Sequence, residues 1–385
     1  MEKILNTHFC FVSPSGFPLF IKGACGPGGA ERQFFLIAQA LQKRGARVSF
    51  ITEPVALAAN DEIDRRFKVI TVPIFRQGDS LFQYFRNILA FCRAMHRIKA
   101  DYYLIKFPSY LLLPMGLYCN LARKTLIFWA QRTFDSTPSQ RNSVPMIVKL
   151  MSKLGMALSD ILIAQSEEQR SAFKRNYGRY AAVVPNIYDR IEAACHGQIQ
   201  EGRVDVLWVG NSMVNKRYEV VVALALLMQD VTFAVAMNMV DKKRFTEAKS
   251  KLESLPNVKF LGMVPPVEME QWYEKCKVFL NTSAMEGFPN TFLQAWANGV
   301  PVVSLNIDPD NVILNHQLGI IVSKQPDTVE SFDFDELAQR IAAPLRKLLG
   351  DEARRERMGE AATKFVKTKH GEENVLTKLT DAISI

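Results

Sequence analysis

The chain has 385 residues, 48% of them hydrophobic and 23% charged, enough apolar matter for large cores and, at roughly 100–200 residues per domain, for two domains. That excludes disorder, collagen-like repeats and a small disulfide scaffold. The net charge of +9 is held unevenly: residues 1–200 carry 26 Lys and Arg against 14 Asp and Glu (+12), and residues 201–385 carry 22 against 25 (−3), so an anionic partner is expected at the first half.

The opening MEKILNTHFCFVSP has an acid at position 2 and polar Asn6, Thr7 and His8 where a signal peptide needs apolar residues, so it reads as the first strand of a cytosolic protein. A Gly-rich loop follows, GACGPGGAERQ over 23–33. The next helix is predicted from about Glu31 to Arg44, with Phe34, Ile37, Ala38 and Leu41 on one face and Gly45 as its stop. Strands follow at Arg47–Thr52, Lys68–Val72, Tyr102–Phe107, Thr125–Ala130 and Ile161–Gln165. The apolar run Tyr110 to Ala122 is too short for the ~18 residues of a membrane span. A polar stretch from His196 to Arg203 reads as a linker.

The pattern then restarts with strand 204–210 and a helix near Tyr218–Gln229. Strand 231–237, a Lys-rich helix, strand 257–263, a helix at Glu268–Lys275, strand 278–283, a helix after Pro289, and strands 301–306 and 319–323 complete it. Short apolar runs alternating with amphipathic segments imply βαβ units with parallel sheets. The last fifty residues read as helical, and the final helix is expected to cross back to the first domain. The expected boundaries are 1–195, 202–366 and 367–385.

Six cysteines lie scattered without C-x-x-C spacing, and five histidines are equally dispersed, so buried free thiols and no metal site are expected. The D-x-D at Asp308 to Asp310 reads as a turn before a helix cap.

Three segments carry chemistry. In GACGPGGAERQ, Gly28 and Gly29 let backbone N–H groups approach a phosphate or a sugar, beside a helix N-terminus. The spacing fits neither G-x-G-x-x-G nor a Walker loop. In EGFPNTFLQAWANGVPVV (286–303), Glu286 follows a strand end, Gly287 permits a turn, and Pro289, Asn290 and Thr291 begin a helix whose N–H groups neutralise a diphosphate. Glu286 is suited to accept from sugar hydroxyls, and Gln294, one turn further on, to hydrogen-bond a ribose. In VGNSMVNKRYE (209–219), Lys216 and Arg217 are placed to stabilise the charge of a leaving diphosphate.

Together these segments resemble glycosyltransferase family 4, with its GT-B architecture of two Rossmann-like α/β domains facing each other across a cleft. Glu286 to Gln294 resembles the family's E-x7-E segment, GGAERQ its amino-terminal glycine loop, VVPN (183–186) the strand ending the first domain, and VGNSMVNKRYE its VGR-x4-K segment. The resemblance implies that Glu286 contacts the transferred sugar, with the backbone of Gly287, Phe288, Pro289 and Asn290 around it, Thr291 at the diphosphate and Lys216 on the departing phosphate. Two departures stand out: Asn211 replaces the arginine, with Arg217 the candidate to supply the lost charge, and Gln294 replaces the second glutamate.

The resemblance further implies a retaining hexosyltransferase with a UDP- or GDP-linked co-substrate and no metal. Its acceptor would be a glycan or polyprenyl-linked molecule bound by the first domain, in cell-surface polysaccharide or glycolipid synthesis. Gln131, Arg132 and Asp135 of FWAQRTFD are the acceptor-side candidates. Two basic amphipathic stretches, Arg86–Lys99 and Met146–Leu158, suit an anionic membrane surface as well as a core. The expected location is the cytoplasm, with peripheral attachment to the inner face of the cell membrane. No nucleic-acid motif is present. Rival readings are a nucleotide-sugar-binding protein with impaired catalysis and a nucleotide-sugar epimerase of the same fold.

Overall fold

The computed structural model describes residues 4–21, 28–57, 61–74, 80–131, 135, 146–188, 202–323 and 333–384. Contacts group the chain into two units, Met1–Ile187 with Glu372–Ile385, and Tyr188–Gly371.

The first unit runs β1 (His8–Val12), α1 (Gly29–Lys43), β2 (Arg47–Thr52), β3 (Lys68–Thr71), α2 (Leu81–Ile98), β4 (Tyr102–Lys106), α3 (Leu112–Ala122), β5 (Thr125–Trp129), α4 (Met146–Ala157), β6 (Ile161–Ala164), α5 (Glu167–Tyr177) and β7 (Ala182–Val183). The second runs β8 (Val204–Asn211), α6 (Tyr218–Leu227), β9 (Phe233–Asn238), α7 (Lys242–Glu253), β10 (Val258–Gly262), α8 (Pro266–Lys275), β11 (Cys276–Asn281), α9 (Asn290–Ala297), β12 (Val302–Ser304), α10 (Val312–His316), β13 (Gly319–Ile321), α11 (Phe334–Gly350) and α12 (Glu352–Phe365). The last helix, α13 (Glu372–Ala382), packs on α1 and groups with the first unit.

Every strand pairing within the two sheets is parallel. The orders are β3-β2-β1-β4-β5-β6-β7 and β10-β9-β8-β11-β12-β13. Parallel strands covered on both faces need apolar residues at successive positions. HFCFV of β1 meets that need, since all five residues are buried. In the first sheet one face packs against α2, α3, α4 and α5. The other meets α1 and α13 through Phe9, Phe11, Phe34, Phe50 and Trp129. Each such ring contributes roughly 1.5–3 kcal/mol by leaving water. The second sheet lies between α6, α7 and α11 on one face and α8, α9 and α12 on the other.

Local signals set the ends. Gly45 stands at φ +84°, a left-handed turn that a side chain resists, and α1 ends beside it. Ser80 and Gln83 form a capping box at the start of α2. One segment departs from expectation: between β1 and the Gly-rich loop, Pro14–Phe20 forms a 3-10 turn that buries Phe17 and Phe20. Two prolines with two core aromatics favour a tight turn over an open loop. The residues from 189 to 201, which hold most of the expected linker, lie outside the described residues, as do 22–27.

Both strand orders reverse direction beside their first strand, between β1 and β4 and between β8 and β11. In open parallel sheets, ligands bind at the carboxyl ends of the strands flanking such a reversal.

Candidate functional site

In the second unit the reversal brings together the loops after β8 and β11, and these loops carry the two candidate segments. They are tied by specific bonds. Trp208 Nε1 donates to the Thr282 hydroxyl (2.9 Å), which donates onward to the Lys216 carbonyl (2.7 Å). Ala284 N donates to the Asn215 carbonyl (2.8 Å), and Asn215 Nδ2 to the Met285 carbonyl (3.4 Å). Backbone held this way delivers Lys216 Nζ onto Glu286 Oε1 as an ion pair. The two side chains remain 20% and 17% exposed, so the pair is shielded yet reachable by a ligand.

Gly210 permits the arrangement, because a Cβ there would lie 2.5 Å from the Trp208 ring. Ser212 is fully buried. Its hydroxyl donates to the Asp241 carbonyl (2.9 Å) and accepts from Val240 N and Asp241 N (2.9 and 2.8 Å), binding the loop after β8 to the one after β9.

The other expected donor-side residues fall as follows. Asn211 ends β8, and its Oδ1 accepts from Met213 N (3.1 Å). Arg217 has a left-handed backbone (φ +51°) and is 1% exposed, which sets it apart from a solvated helix face. Gly287 is half-buried. Phe288 is buried against Trp296 and the His370 ring. Pro289 precedes α9, Asn290 and Thr291 form its half-buried first turn, and no side chain among the described residues caps it. Gln294 Oε1 accepts from the Tyr273 hydroxyl on α8 (3.3 Å). The D-x-D forms the expected turn before a helix: Pro309–Asn311 is a 3-10 turn leading into α10, and Asp308 Oδ1 accepts from Ile313 N (2.7 Å).

Two groups gave no sequence signal. Arg244 on α7 donates to Glu219 (2.6 Å) and to the Ser212 carbonyl (3.1 Å), bracing the loop after β8 from thirty residues away. Glu270 is 1% exposed. Its oxygens accept from the Tyr188 hydroxyl (3.1 and 3.0 Å), and Oε2 also accepts from Asn298 Nδ2 (3.0 Å).

In the first unit, Gly28 and Gly29 are exposed at the start of α1. A pocket at the ends of β1 and β4 is lined by Ser13, Ser15, Glu31, Phe34, Lys106 and Phe107, among others. Lys106 was not anticipated. It is 4% exposed, its Nζ donates to the Ala30 carbonyl (3.2 Å) and it lies over the Phe34 ring. Burial holds its pKa well below the usual lysine range, with Glu31 pulling the other way. Gln131 and Asp135 are both buried, and Gln131 N donates to Asp135 Oδ2 (2.9 Å). Arg132 lies outside the described residues. Cys10, Cys119 and Cys276 are buried free thiols and Cys92 is a half-buried one. Among the described residues, no group of His, Cys, Asp and Glu has a metal-holding arrangement. No helix there is long and apolar enough to cross a membrane.

Comparison with known proteins adds identity to this geometry. The profile of Glycosyltransferase Family 4 matches residues 27–190, and that of Glycosyl transferases group 1 matches 203–346. The capsular polysaccharide biosynthesis glycosyltransferase CapM of Staphylococcus aureus is 30% identical over 109 residues, or 28% of this chain. The similarity spans only 26% of that relative's length. Sucrose-phosphate synthase from Thermosynechococcus elongatus shares the fold at TM-score 0.75 and 17% identity, over 98% of each chain. WaaG, a glycosyltransferase involved in lipopolysaccharide biosynthesis, shares it at TM-score 0.66 and 17% identity, over 98% of this chain and 99% of that one. The fold is GT-B. With one profile on each half, in the order of the two parallel sheets, the chain belongs to glycosyltransferase family 4.

Proposed function

We propose that the protein is a retaining, metal-independent hexosyltransferase that moves a sugar from a nucleotide diphosphate sugar to a glycan or lipid-linked acceptor in cell-surface polysaccharide or glycolipid synthesis. One observation carries the reading: Lys216 and Glu286 meet at the carboxyl ends of β8 and β11. A carboxylate and an ammonium in contact suit a ligand with hydroxyls at one end and phosphates at the other. The free protein neutralises each charge with the other; bound donor takes Lys216 through a phosphate oxygen and Glu286 through sugar hydroxyls.

In the reaction the bond from the anomeric carbon to the phosphate oxygen breaks, and its electron pair leaves with the nucleotide diphosphate. A bond to the acceptor oxygen forms on the same face, and the acceptor's proton passes to the departing phosphate. The positive charge next to that phosphate comes from Lys216 and from the N-terminus of α9, worth most where water is excluded. CapM and WaaG, one named for capsular polysaccharide and the other for lipopolysaccharide, support a surface glycan as the product class.

The test is a panel of UDP- and GDP-sugars with glycan and polyprenyl-linked acceptors, in chelator, with nucleotide release and acceptor product both followed. Acceptor-dependent product with the anomeric configuration of the donor is expected. Donor binding without such product, or turnover that Glu286→Ala leaves intact, would overturn the reading.

A further inference from the structure

The first unit exposes apolar side chains that its core does not use. On α2, Tyr84, Phe91, Met95 and Ile98 face inward, while Phe82, Phe85 and Leu89 stand 77%, 67% and 50% exposed. Positions 82, 85 and 89 share one side of a helix, and Arg86, Arg93 and Arg97 run alongside it, all exposed. On α4, Met146, Ile147, Leu150 and Leu154 are 83%, 60%, 51% and 46% exposed, next to Lys149 and Lys153. The helices belong to one surface: the Tyr84 hydroxyl donates to Met151 Sδ (2.7 Å), and α3 packs against both. The sequences of α2, α3 and α4 contain no Asp or Glu.

Soluble proteins seldom leave so many large apolar groups in water without a partner. Here the apolar stripe is bordered by cations and by no acid of its own helices, so the surface it complements is apolar beneath and anionic on top. We infer that the face formed by α2 and α4 docks on an anionic lipid bilayer, with Phe82, Phe85, Leu89, Ile147, Leu150 and Leu154 entering the headgroup boundary and the five cations holding lipid phosphates. Attachment there brings the enzyme to a lipid-linked acceptor, which deepens the proposed function; the docking itself needs no sugar transfer.

The experiment is co-sedimentation of the full chain, without donor or acceptor, with phosphatidylcholine vesicles prepared with and without phosphatidylglycerol. Binding at least about tenfold stronger to the anionic vesicles, released by high salt, is expected. Replacing Arg86, Arg93 and Arg97 together by Gln should weaken it by roughly fivefold per charge. Replacing Phe82, Phe85 and Leu89 by Ser, or separately Ile147, Leu150 and Leu154 by Ser, should weaken it at least about tenfold at an unchanged melting temperature. The two triplets on different helices guard against one failing to fold. Absence of vesicle binding, equal binding to both lipid mixtures, or variants that bind as well as the parent would overturn the inference. So would a lipid-free dimer that the same substitutions dissociate, because the face would then belong to a second copy. Since no transfer is measured, none of these results touches the assignment of Lys216 and Glu286.

Discussion

Lys216 Nζ is ion-paired with Glu286 Oε1 across seventy positions of sequence, and the pair is seated by the Thr282 hydroxyl on the Lys216 carbonyl. Neither residue alone marks a site, because each type is common on surfaces. What distinguishes them is that two backbone loops are bonded together so as to present both charges at one point.

Glu286→Gln keeps the shape and removes the charge. Acceptor-dependent product formation should fall by about a hundredfold or more, the scale of losing one fixed charge partner at a reacting centre. Lys216→Ala should weaken binding of a bare nucleoside diphosphate, read by calorimetry, whereas Glu286→Gln should act mainly on the intact donor. Equal effects of both changes on bare nucleotide would contradict the division of labour.

Asn211 stands where an arginine occurs in the motif that VGNSMVNKRYE resembles, and its Oδ1 accepts a local backbone bond from Met213 N (3.1 Å). Asn211→Arg should tighten nucleoside diphosphate binding by about tenfold, since a hydrogen bond to a charged group is worth about 1.5–3 kcal/mol. The gain should shrink as salt is raised. Unchanged affinity at low salt would mean that position 211 does not face the phosphates.

Gly210→Ala places a Cβ 2.5 Å from the rigid Trp208 ring. The ring must shift, and its bond to Thr282 shifts with it. Urea unfolding should register a loss of about 1–3 kcal/mol, the usual cost of overpacking, and activity should fall along with stability. A variant as stable as the parent would show that Trp208 has room to move.

Lys106 tests burial directly. Its folded-state pKa is depressed, so between that value and the unfolded value of about 10.4 the unfolded chain binds a proton that the folded chain has released. Stability from this group therefore rises with pH across that window, and the full penalty of a buried ammonium is present below it. Lys106→Met keeps the length of the side chain and removes the charge. It should raise the melting temperature by several degrees at acidic and neutral pH, with the difference narrowing toward pH 10. A gap that stays constant with pH would show that the Lys106 ammonium titrates alike in the folded and unfolded chain, as a solvated lysine does.

The fold was legible because parallel strands covered on both faces demand continuous apolar runs, and HFCFV, TLIFW and VFLN stand out against amphipathic helices. Gly45 and Pro289 marked helix ends through backbone constraints that act within a few residues. Pro14–Phe20 was not legible, because its turn depends on Phe17 and Phe20 finding the core. Of the site, Glu286 and Lys216 were legible through their local motifs. Arg244 was not, since it reaches the loop after β8 from a Lys-rich helix whose sequence gives no direction.

Residue order alone carries the alternation of strand and helix, the restart near residue 204, and the loops in which charged groups follow strand ends. Those properties arise from hydrophobic period and turn chemistry, which are local. Packing between distant elements sets the rest: Lys106 and Arg217 are buried, Gln131 N is bonded to Asp135, and Phe82, Phe85 and Leu89 remain in solvent while Tyr84 and Phe91 turn inward. Burial of one side chain depends on which distant elements cover it, and that cover is supplied by strand order and helix packing rather than by its neighbours along the chain.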